Sequence, residues 1–136
     1  MYVYFIIIVL IFCPSVSFSE CIEGDCQNGQ GIFHYPDGRI YDGDWKEGVP
    51  NGKGTYMFPD GGKYTGDMKD GVGDGFGTYI YPDGMSYTGD WKKGFEDGTG
   101  TFFYPDNSRY EGHVKHGKGY GHGIYYQRDG SVYDGQ

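Results

Sequence analysis

Large apolar residues alternate with small or polar residues along short segments of the chain, with a period of two. Residues 41–45 read Tyr-Asp-Gly-Asp-Trp and residues 54–58 read Gly-Thr-Tyr-Met-Phe, which is typical of β-strands with one apolar side. Pro-Asp-Gly follows at 59–61, where proline presets a turn and glycine accepts a positive φ. No window shows the apolar period of a helix, about 3.6 residues. The pattern therefore predicts an all-β chain of hairpins with strands of about five residues.

The pattern returns at a fixed interval of 23 residues over most of the chain. A fixed period indicates one small unit that is copied and stacked, so that neighbouring copies share a core. With two strands in each unit, every copy adds roughly 9–10 Å to a sheet. The predicted fold is therefore a meander of repeated β-hairpins that builds a single antiparallel sheet. The units are marked by Tyr-x-Gly beginning at Tyr41, Tyr64, Tyr87, Tyr110 and Tyr133.

Aromatic residues and glycines occupy fixed columns of the repeat. A ring can lie flat over a neighbouring glycine, because glycine has no side chain to obstruct it. The strict periodicity favours a structural ladder in place of an aliphatic core, and a ligand-binding surface is the alternative. The predicted ladder consists of Tyr41, Trp45, Tyr56, Tyr64, Tyr79, Tyr87, Trp91, Phe102, Tyr110 and Tyr125. The rings outside this register are Phe76, Phe95, Phe103 and Tyr120.

Two segments carry a resemblance to a known family. Residues 41–48, Tyr-Asp-Gly-Asp-Trp-Lys-Glu-Gly, and residues 52–56, Gly-Lys-Gly-Thr-Tyr, resemble the membrane occupation and recognition nexus (MORN) repeat. The resemblance covers residues 29–136 and implies an elongated, twisted single antiparallel sheet of hairpins used for protein contacts or self-association. The departures from the repeat pattern, which bear on the packing of the units that carry them, are Met68, Val114 and Gln127.

The repeat divides the chain into four parts. Residues 1–19 are a predicted signal peptide, and residues 20–40 are a predicted capping hairpin or partial repeat. Four MORN repeats are expected to fill residues 41–132, and residues 133–136 begin a further unit. Stacked repeats of this kind present long surfaces more often than they enclose a reaction.

The first 19 residues have the features of a signal peptide. The apolar stretch from Tyr2 to Phe12 is too short for a comfortable membrane span of about 20 residues. Small residues at Ser17 and Ser19 suit signal peptidase. Cleavage after Ser19 would leave Glu20 as the first residue. These features predict an exported protein, either periplasmic or secreted. Because this segment has no lysine or arginine, a membrane anchor formed by the uncleaved segment is the alternative.

Two cysteines, Cys21 and Cys26, would remain after cleavage. In an oxidising compartment such a pair is expected to form a disulfide, which would fasten the terminal hairpin. A structural metal site needs about four ligands, and two thiols do not supply them. The sequence therefore predicts a disulfide, and it predicts neither a metal nor another cofactor.

The net charge of −8 disfavours binding to nucleic acid and to membrane lipid. Lysines recur beside the tryptophan column, but neighbouring aspartates offset their positive charge. A solvated face of mixed charge is therefore favoured over a stripe that binds phosphate. Ser86 and Ser108 have no histidine and aspartate partners in the repeat. His113, His116 and His122 lie where no helix would bring them together as metal ligands. We therefore expect no enzyme activity, and turn or solvent roles for the aspartates of the repeat.

Two functions fit these features. The first is a non-enzymatic exported scaffold that binds a protein partner, or itself, through a concave aromatic face or the ends of the sheet. The second is a ligand-binding module at an envelope surface, for glycans or lipid headgroups. The rings outside the register are too few and too scattered to form a continuous sugar-binding stripe. The scaffold is favoured, and a homodimer or a docked partner is expected at the C-terminal edge of the sheet. The alternative is a monomer, in which lysines at that edge keep it from pairing with another chain. The expected edge residues are Tyr110, Tyr125 and Tyr133.

Overall fold

The computed structural model describes residues 19–136, which form a single antiparallel sheet of eleven strands in chain order. The predicted all-β sheet of repeated hairpins is confirmed. The predicted signal peptide lies outside the described residues, except for Ser19. Over the range 19–136, no helix has the length and hydrophobicity that a membrane crossing needs. The strands are β1 Glu20–Gly24, β2 Gln30–His34, β3 Ile40–Lys46, β4 Val49–Met57, β5 Lys63–Lys69, β6 Val72–Ile80, β7 Ser86–Lys92, β8 Phe95–Phe103, β9 Arg109–Lys115, β10 Lys118–Tyr126 and β11 Val132–Gly135.

Within each unit, a turn of only two residues joins the two strands. Lys46 pairs with Val49 across the first such turn, and Glu47 and Gly48 between them have φ values of 51° and 75°. Positive φ at both central positions is the mark of a type I′ turn, whose twist matches that of the strands. Because the turns are so short, the strands are longer than predicted, with seven residues in β3 and nine in β4. The same turn recurs at Asp70–Gly71, Lys93–Gly94 and His116–Gly117.

A second kind of turn, built on Pro-Asp-Gly, joins one unit to the next. The Phe58 N–H donates to the Gly62 carbonyl at 2.9 Å, and Gly61 between them has a φ of 94°. The Asp60 carboxylate accepts a hydrogen bond from the Gly62 N–H at 2.9 Å, which fixes the turn. In a later turn Asn107 takes the place of glycine with a φ of 69°, because asparagine tolerates a left-handed backbone.

Aspartates in β3, β5 and β7 each hold a bulge in the following strand. Asp44 Oδ2 accepts a hydrogen bond from the Lys53 N–H at 2.8 Å, beside Gly52 with its φ of 115°. The prediction of turn or solvent roles is wrong for these aspartates, because side-chain alternation alone does not reveal a bulge. The equivalent bonds run from the Phe76 N–H to Asp67 and from the Thr99 N–H to Asp90.

The two faces of the sheet differ in composition. One face carries the rings and the glycine rows, and Tyr87 is fully buried on it. A Cβ atom at Gly77 would lie only 2.6 Å from Tyr64 Oη, so the ring of one strand lies over a glycine of the next. The opposite face carries cross-strand threonine pairs, such as Thr78 and Thr88 with their hydroxyls 2.9 Å apart. The core therefore lies on one side of a single sheet.

Cys21 in β1 and Cys26 in the turn after it have sulfur atoms 2.06 Å apart, which is disulfide distance. Cys21 is exposed and Cys26 is buried. A Cβ atom at Gly31 would lie 2.8 Å from the Cys26 sulfur, so this sulfur packs against β2. The pair joins the outermost strand to the turn that leads into its neighbour.

Candidate functional site: an aromatic groove

A groove of about 310 Å³ lies on the ring-bearing face, in the middle of the sheet. We call it the aromatic groove. Two charged side chains are among the residues that line it, Arg39 just before β3 and Glu96 in β8. Six rings from β4 to β7 and the adjoining turns lie between them. These rings are Tyr56, Phe58, Tyr64, Tyr79, Tyr81 and Trp91.

The aromatic groove lies where the second full unit departs from the repeat pattern. Met68 stands in the tryptophan column and is only 3% exposed, so this unit lacks the indole of its two neighbours. Gly73 lines the groove in the column that holds Pro50 one unit earlier and Glu96 one unit later. A smaller side chain at one position and no side chain at the other leave space between the rings of the adjacent units.

The polar tips of two central groove rings are bonded within the sheet. Tyr64 Oη donates to the Asp67 carbonyl at 2.7 Å, and Trp91 Nε1 donates to the Gly77 carbonyl at 3.1 Å. Burial, which disfavours the charged phenolate, raises the pKa of Tyr64 above its usual value. At these positions the groove therefore offers neutral ring surface rather than free hydrogen-bonding groups.

Glu96 is a buried carboxylate on this otherwise aromatic face, with 9% of its surface exposed. Tyr81 Oη donates a short hydrogen bond to Glu96 Oε1. Burial and this bond to a carboxylate raise the pKa of Tyr81. The sequence reasoning missed Glu96. The available signal was a column that holds Pro50, Gly73 and Gly119 in the other full units and an acid in this one.

Arg39 lies at the other end of the groove and is already paired. Its Nε atom donates to Asp37 Oδ2 at 2.7 Å. Its Cζ atom lies 4.8 Å from the ring centroid of Tyr35 and 5.8 Å from that of Tyr56, within the range of a cation–π contact. The guanidinium is therefore held among its own neighbours.

Residues of the predicted ladder line both the core and the groove. Seven of them are buried, and Tyr79, Tyr110 and Tyr125 are partly buried. Four ladder members also line the aromatic groove, so each of these rings packs in the core and contributes to the groove surface. The four groove members are Tyr56, Tyr64, Tyr79 and Trp91. The rings outside the register are all exposed, namely Phe76, Phe95, Phe103 and Tyr120.

The predicted edge residues lie on three different strands. Tyr110 is in β9, and Tyr125 in β10 donates from its hydroxyl to Ser108 Oγ at 2.8 Å. Tyr133 alone lies in β11, where it is 62% exposed.

The histidines are also kept apart in the described part of the chain. His116 Nε2 lies 3.8 Å from Asp97, and His122 Nε2 lies 2.6 Å from Asp134. His113 is exposed in β9. Within residues 19–136, no three potential ligands are grouped as a metal site would require.

The family model of the MORN repeat matches residues 27–38, 41–63, 64–86, 87–109 and 110–132. The chain is a MORN repeat protein. Each full match begins on one of the tyrosines that mark the 23-residue interval. MORN repeats are in general interaction modules for proteins or membranes, and they serve as non-catalytic binding scaffolds. No curated protein matches the chain.

Two solved structures resemble this MORN repeat sheet at low identity. One is the TCP domain of SAS-4 from Drosophila melanogaster, in complex with a proline-rich motif of Ana2. It shares 15% identity with a TM-score of 0.43, over 91% of this chain and 94% of that one. The other is the TCP10 domain of CPAP from Danio rerio, with 20% identity and a TM-score of 0.33, over 77% of this chain and 55% of that one. Both likenesses are too low to inform function.

Proposed function

We propose that this MORN repeat protein is a non-enzymatic scaffold that binds an extended segment of a protein partner in the aromatic groove. The observation that carries the proposal is a groove of about 310 Å³ lined by six rings on one face of a single sheet. Specific binding sites are concave and mostly apolar, with a few polar groups that fix orientation. The aromatic groove has this composition, with Glu96 and Arg39 as its charged groups.

An extended peptide suits the groove better than a compact ligand. The rings come from four successive strands and the adjoining turns, and strands in a sheet are about 4.8 Å apart. The lined surface therefore extends over roughly 14 Å across the strands. Polyproline-type segments, which are extended, dock in grooves lined by aromatic side chains, because these preformed segments lose little conformational entropy on binding.

Glycans and lipid headgroups are the alternative ligands, and two observations disfavour them. Glycans need hydrogen-bonding groups beside the rings, but Tyr64 and Trp91 use their polar atoms within the sheet. Anionic headgroups need positive charge, but the chain has a net charge of −8 and Arg39 is paired with Asp37. A protein segment is the remaining ligand class with matching chemistry.

The test measures peptide binding by groove variants and by matched controls. A random linear peptide library displayed on phage is selected on the purified chain, and the enriched peptides are synthesised. Tyr79→Ala removes a groove ring in β6, whereas Phe76→Ala removes a ring in the same strand that is 58% exposed. The proposal predicts that the first variant loses binding and the second keeps it. Equal binding by both would contradict it.

A second pair of variants guards against misfolding. Val72 lines the groove and is 42% exposed, and Val49 holds the same column one unit earlier outside the groove. Val72→Asp is expected to weaken peptide binding, and Val49→Asp is expected to leave it unchanged. Because both side chains are exposed, neither substitution disturbs the core. Unchanged binding by Val72→Asp would place the peptide elsewhere.

We also propose that the sheet self-associates through β11. Val132 and Tyr133 are 54% and 62% exposed there, and an outer strand offers unpaired backbone groups to another chain. Light scattering across micromolar concentrations, with and without residues 133–136, tests this. A mass that rises with concentration only in the longer chain supports the proposal, and a constant monomer mass in both chains refutes it.

Export of the protein is likewise our proposal. The sulfur atoms of Cys21 and Cys26 at disulfide distance support it, since disulfides persist in oxidising compartments. Mass spectrometry of protein from its native compartment should show a chain that begins at Glu20 and has no alkylatable thiol. A chain that keeps the N-terminal segment would favour a membrane anchor instead, and two free thiols would contradict the disulfide.

A further inference from the structure

We propose that Glu96 makes the aromatic groove selective for a partner segment that carries a cationic side chain, lysine or arginine. This inference rests on the proposed function, because it concerns which peptides the groove accepts. It assigns the Glu96 end of the groove to the cation, and it thereby fixes the direction in which the peptide lies.

The carboxylate of Glu96 is buried and has spare bonding capacity. Only 9% of the residue is exposed, and Oε1 accepts a hydrogen bond from Tyr81. Among residues 19–136, Oε2 accepts no hydrogen bond and no cation pairs with the carboxylate. No polar side-chain atom in that range is both fully covered and unbonded, so Oε2 stays accessible.

A buried carboxylate without a positive partner is unfavourable. Moving a charge out of water costs free energy unless the charge is paired and hydrogen-bonded. The hydrogen bond from Tyr81 meets only part of this requirement, because a neutral donor does not balance the charge. A cation supplied by the partner would complete it, and a charge-assisted bond is roughly twice as strong as a neutral one.

The rings around Glu96 also favour a cation. Tyr79, Tyr81 and Trp91 line the groove together with Glu96. The centroids of Tyr79 and Tyr81 are 4.6 Å apart, and those of Tyr79 and Trp91 are 6.3 Å apart. Cations are attracted to aromatic faces within about 6 Å, and tryptophan is the best partner. An ammonium or guanidinium group would thus meet one carboxylate and several rings.

Residues 19–136 do not supply this cation. Arg39 is the single cationic residue that lines the groove within the described range, and it lies at the opposite end. Its guanidinium is bonded to Asp37 and stacked on Tyr35. The groove is therefore acidic at one end and neutralised at the other, which complements a peptide with its basic residue at the Glu96 end.

The first test selects peptides on three proteins. A phage library of random linear peptides is selected separately on the full chain, on Glu96→Gln and on Asp42→Asn. Glu96→Gln keeps the side-chain shape and an acceptor for Tyr81 while removing the charge. Asp42→Asn removes one charge from an exposed residue in β3 on the opposite face. We expect lysine or arginine at a fixed position in peptides enriched on the full chain and on Asp42→Asn, and its loss on Glu96→Gln.

The second test measures the coupling between the two charges. An enriched peptide and its variant with glutamine at the basic position are titrated against the full chain and Glu96→Gln. Losing one charge-assisted bond should weaken the basic peptide about tenfold on Glu96→Gln. The neutral peptide should bind the two proteins within about twofold of each other.

The outcomes separate this inference from the function on which it rests. If no peptide is enriched on any protein, the peptide-binding function fails and the inference falls with it. If peptides that lose binding to Tyr79→Ala are enriched without a basic residue, or keep it on Glu96→Gln, the groove still binds peptides and the inference is wrong. Thermal unfolding of each variant checks folding. Glu96→Gly, which copies the residue of Gly73 and Gly119 in this column, serves as a second charge-removing variant.

Discussion

Replacing Trp91 with alanine tests the assignment of the two faces of the sheet. Trp91 lies in β7, is 8% exposed, and has its ring centroid 4.9 Å from that of Tyr64 and 5.7 Å from that of Tyr87. Its indole N–H donates to the Gly77 carbonyl. The substitution therefore removes a ring that two neighbouring units share and leaves one buried acceptor without its donor.

The expected loss of stability follows from these contacts. Truncating a buried tryptophan to alanine costs about 3–5 kcal/mol, because the transfer free energy is lost and a cavity remains. The unpaired Gly77 carbonyl adds about 1 kcal/mol. Trp91→Met should cost less, about 1–3 kcal/mol, since Met68 fills the same column one unit earlier at 3% exposure. Phe76→Ala, which removes a ring that is 58% exposed, should cost less than about 1 kcal/mol.

Thermal unfolding followed by circular dichroism measures these differences. A loss of about 4 kcal/mol corresponds to a midpoint lower by roughly 10–20 °C for a chain of this size. The expected order of midpoints is Phe76→Ala highest, then Trp91→Met, then Trp91→Ala. Equal midpoints for Phe76→Ala and Trp91→Ala would show that the buried face has been assigned wrongly.

Three further predictions concern the glycine rows, the buried tyrosines and the bulges. Gly77→Ala should destabilise the chain by about 1–3 kcal/mol in denaturant titration, because the ring stacked on Gly77 must move. Gly135→Ala, with no atom within 4 Å of the new Cβ, should have little effect, and similar losses of stability for both variants would refute the packing of rings over glycines. Burial raises the pKa of Tyr87 from 10.0 to about 12, so its proton is held more tightly in the folded state. The contribution of Tyr87 to the unfolding free energy should therefore stay level up to pH 10 and be lost as the pH rises from 10 to 12. An unfolding free energy that stays level between pH 10 and 12 would contradict this burial. Asp67→Ala should cost about 0.5–1.5 kcal/mol, because the Phe76 N–H loses its carboxylate partner in the bulge, and Asp42→Ala should be nearly neutral. Equally slow hydrogen exchange at the Phe76 amide in both variants would contradict the role of Asp67.

The strand pairing and the buried face follow from periodic features that the sequence displays openly. Tyr64 and Tyr87 recur in register with glycines, and stacked identical units must place identical columns side by side. The turn within each unit was less accessible to sequence reasoning. Glu47-Gly48 is a two-residue turn with positive φ at a glutamate, and glutamate gives no signal for that conformation.

The aromatic groove depends on exceptions to the repeat rather than on the repeat itself. Met68 is smaller than the tryptophans of the two adjacent units, Gly73 has no side chain, and Glu96 brings a charge into a column otherwise held by proline or glycine. Each feature is unremarkable alone, and the groove results because the sheet pairs Met68 with Gly73 and places Gly73 and Glu96 in the lining of one groove. Such a juxtaposition across different strands requires the register of the sheet, which the pattern of a single unit does not contain.

An NMR titration of the ¹⁵N-labelled chain with a library-selected peptide tests the central claim most directly. The claim predicts shifts at the indole N–H of Trp91 and at the amides of β5 to β8 that border the groove. It also predicts intermolecular contacts between the basic side chain of the peptide and the rings of Tyr79 and Trp91. Shifts confined to β10 and β11, or intermolecular contacts with the side chains of Thr78 and Thr88 in place of the rings, would contradict it.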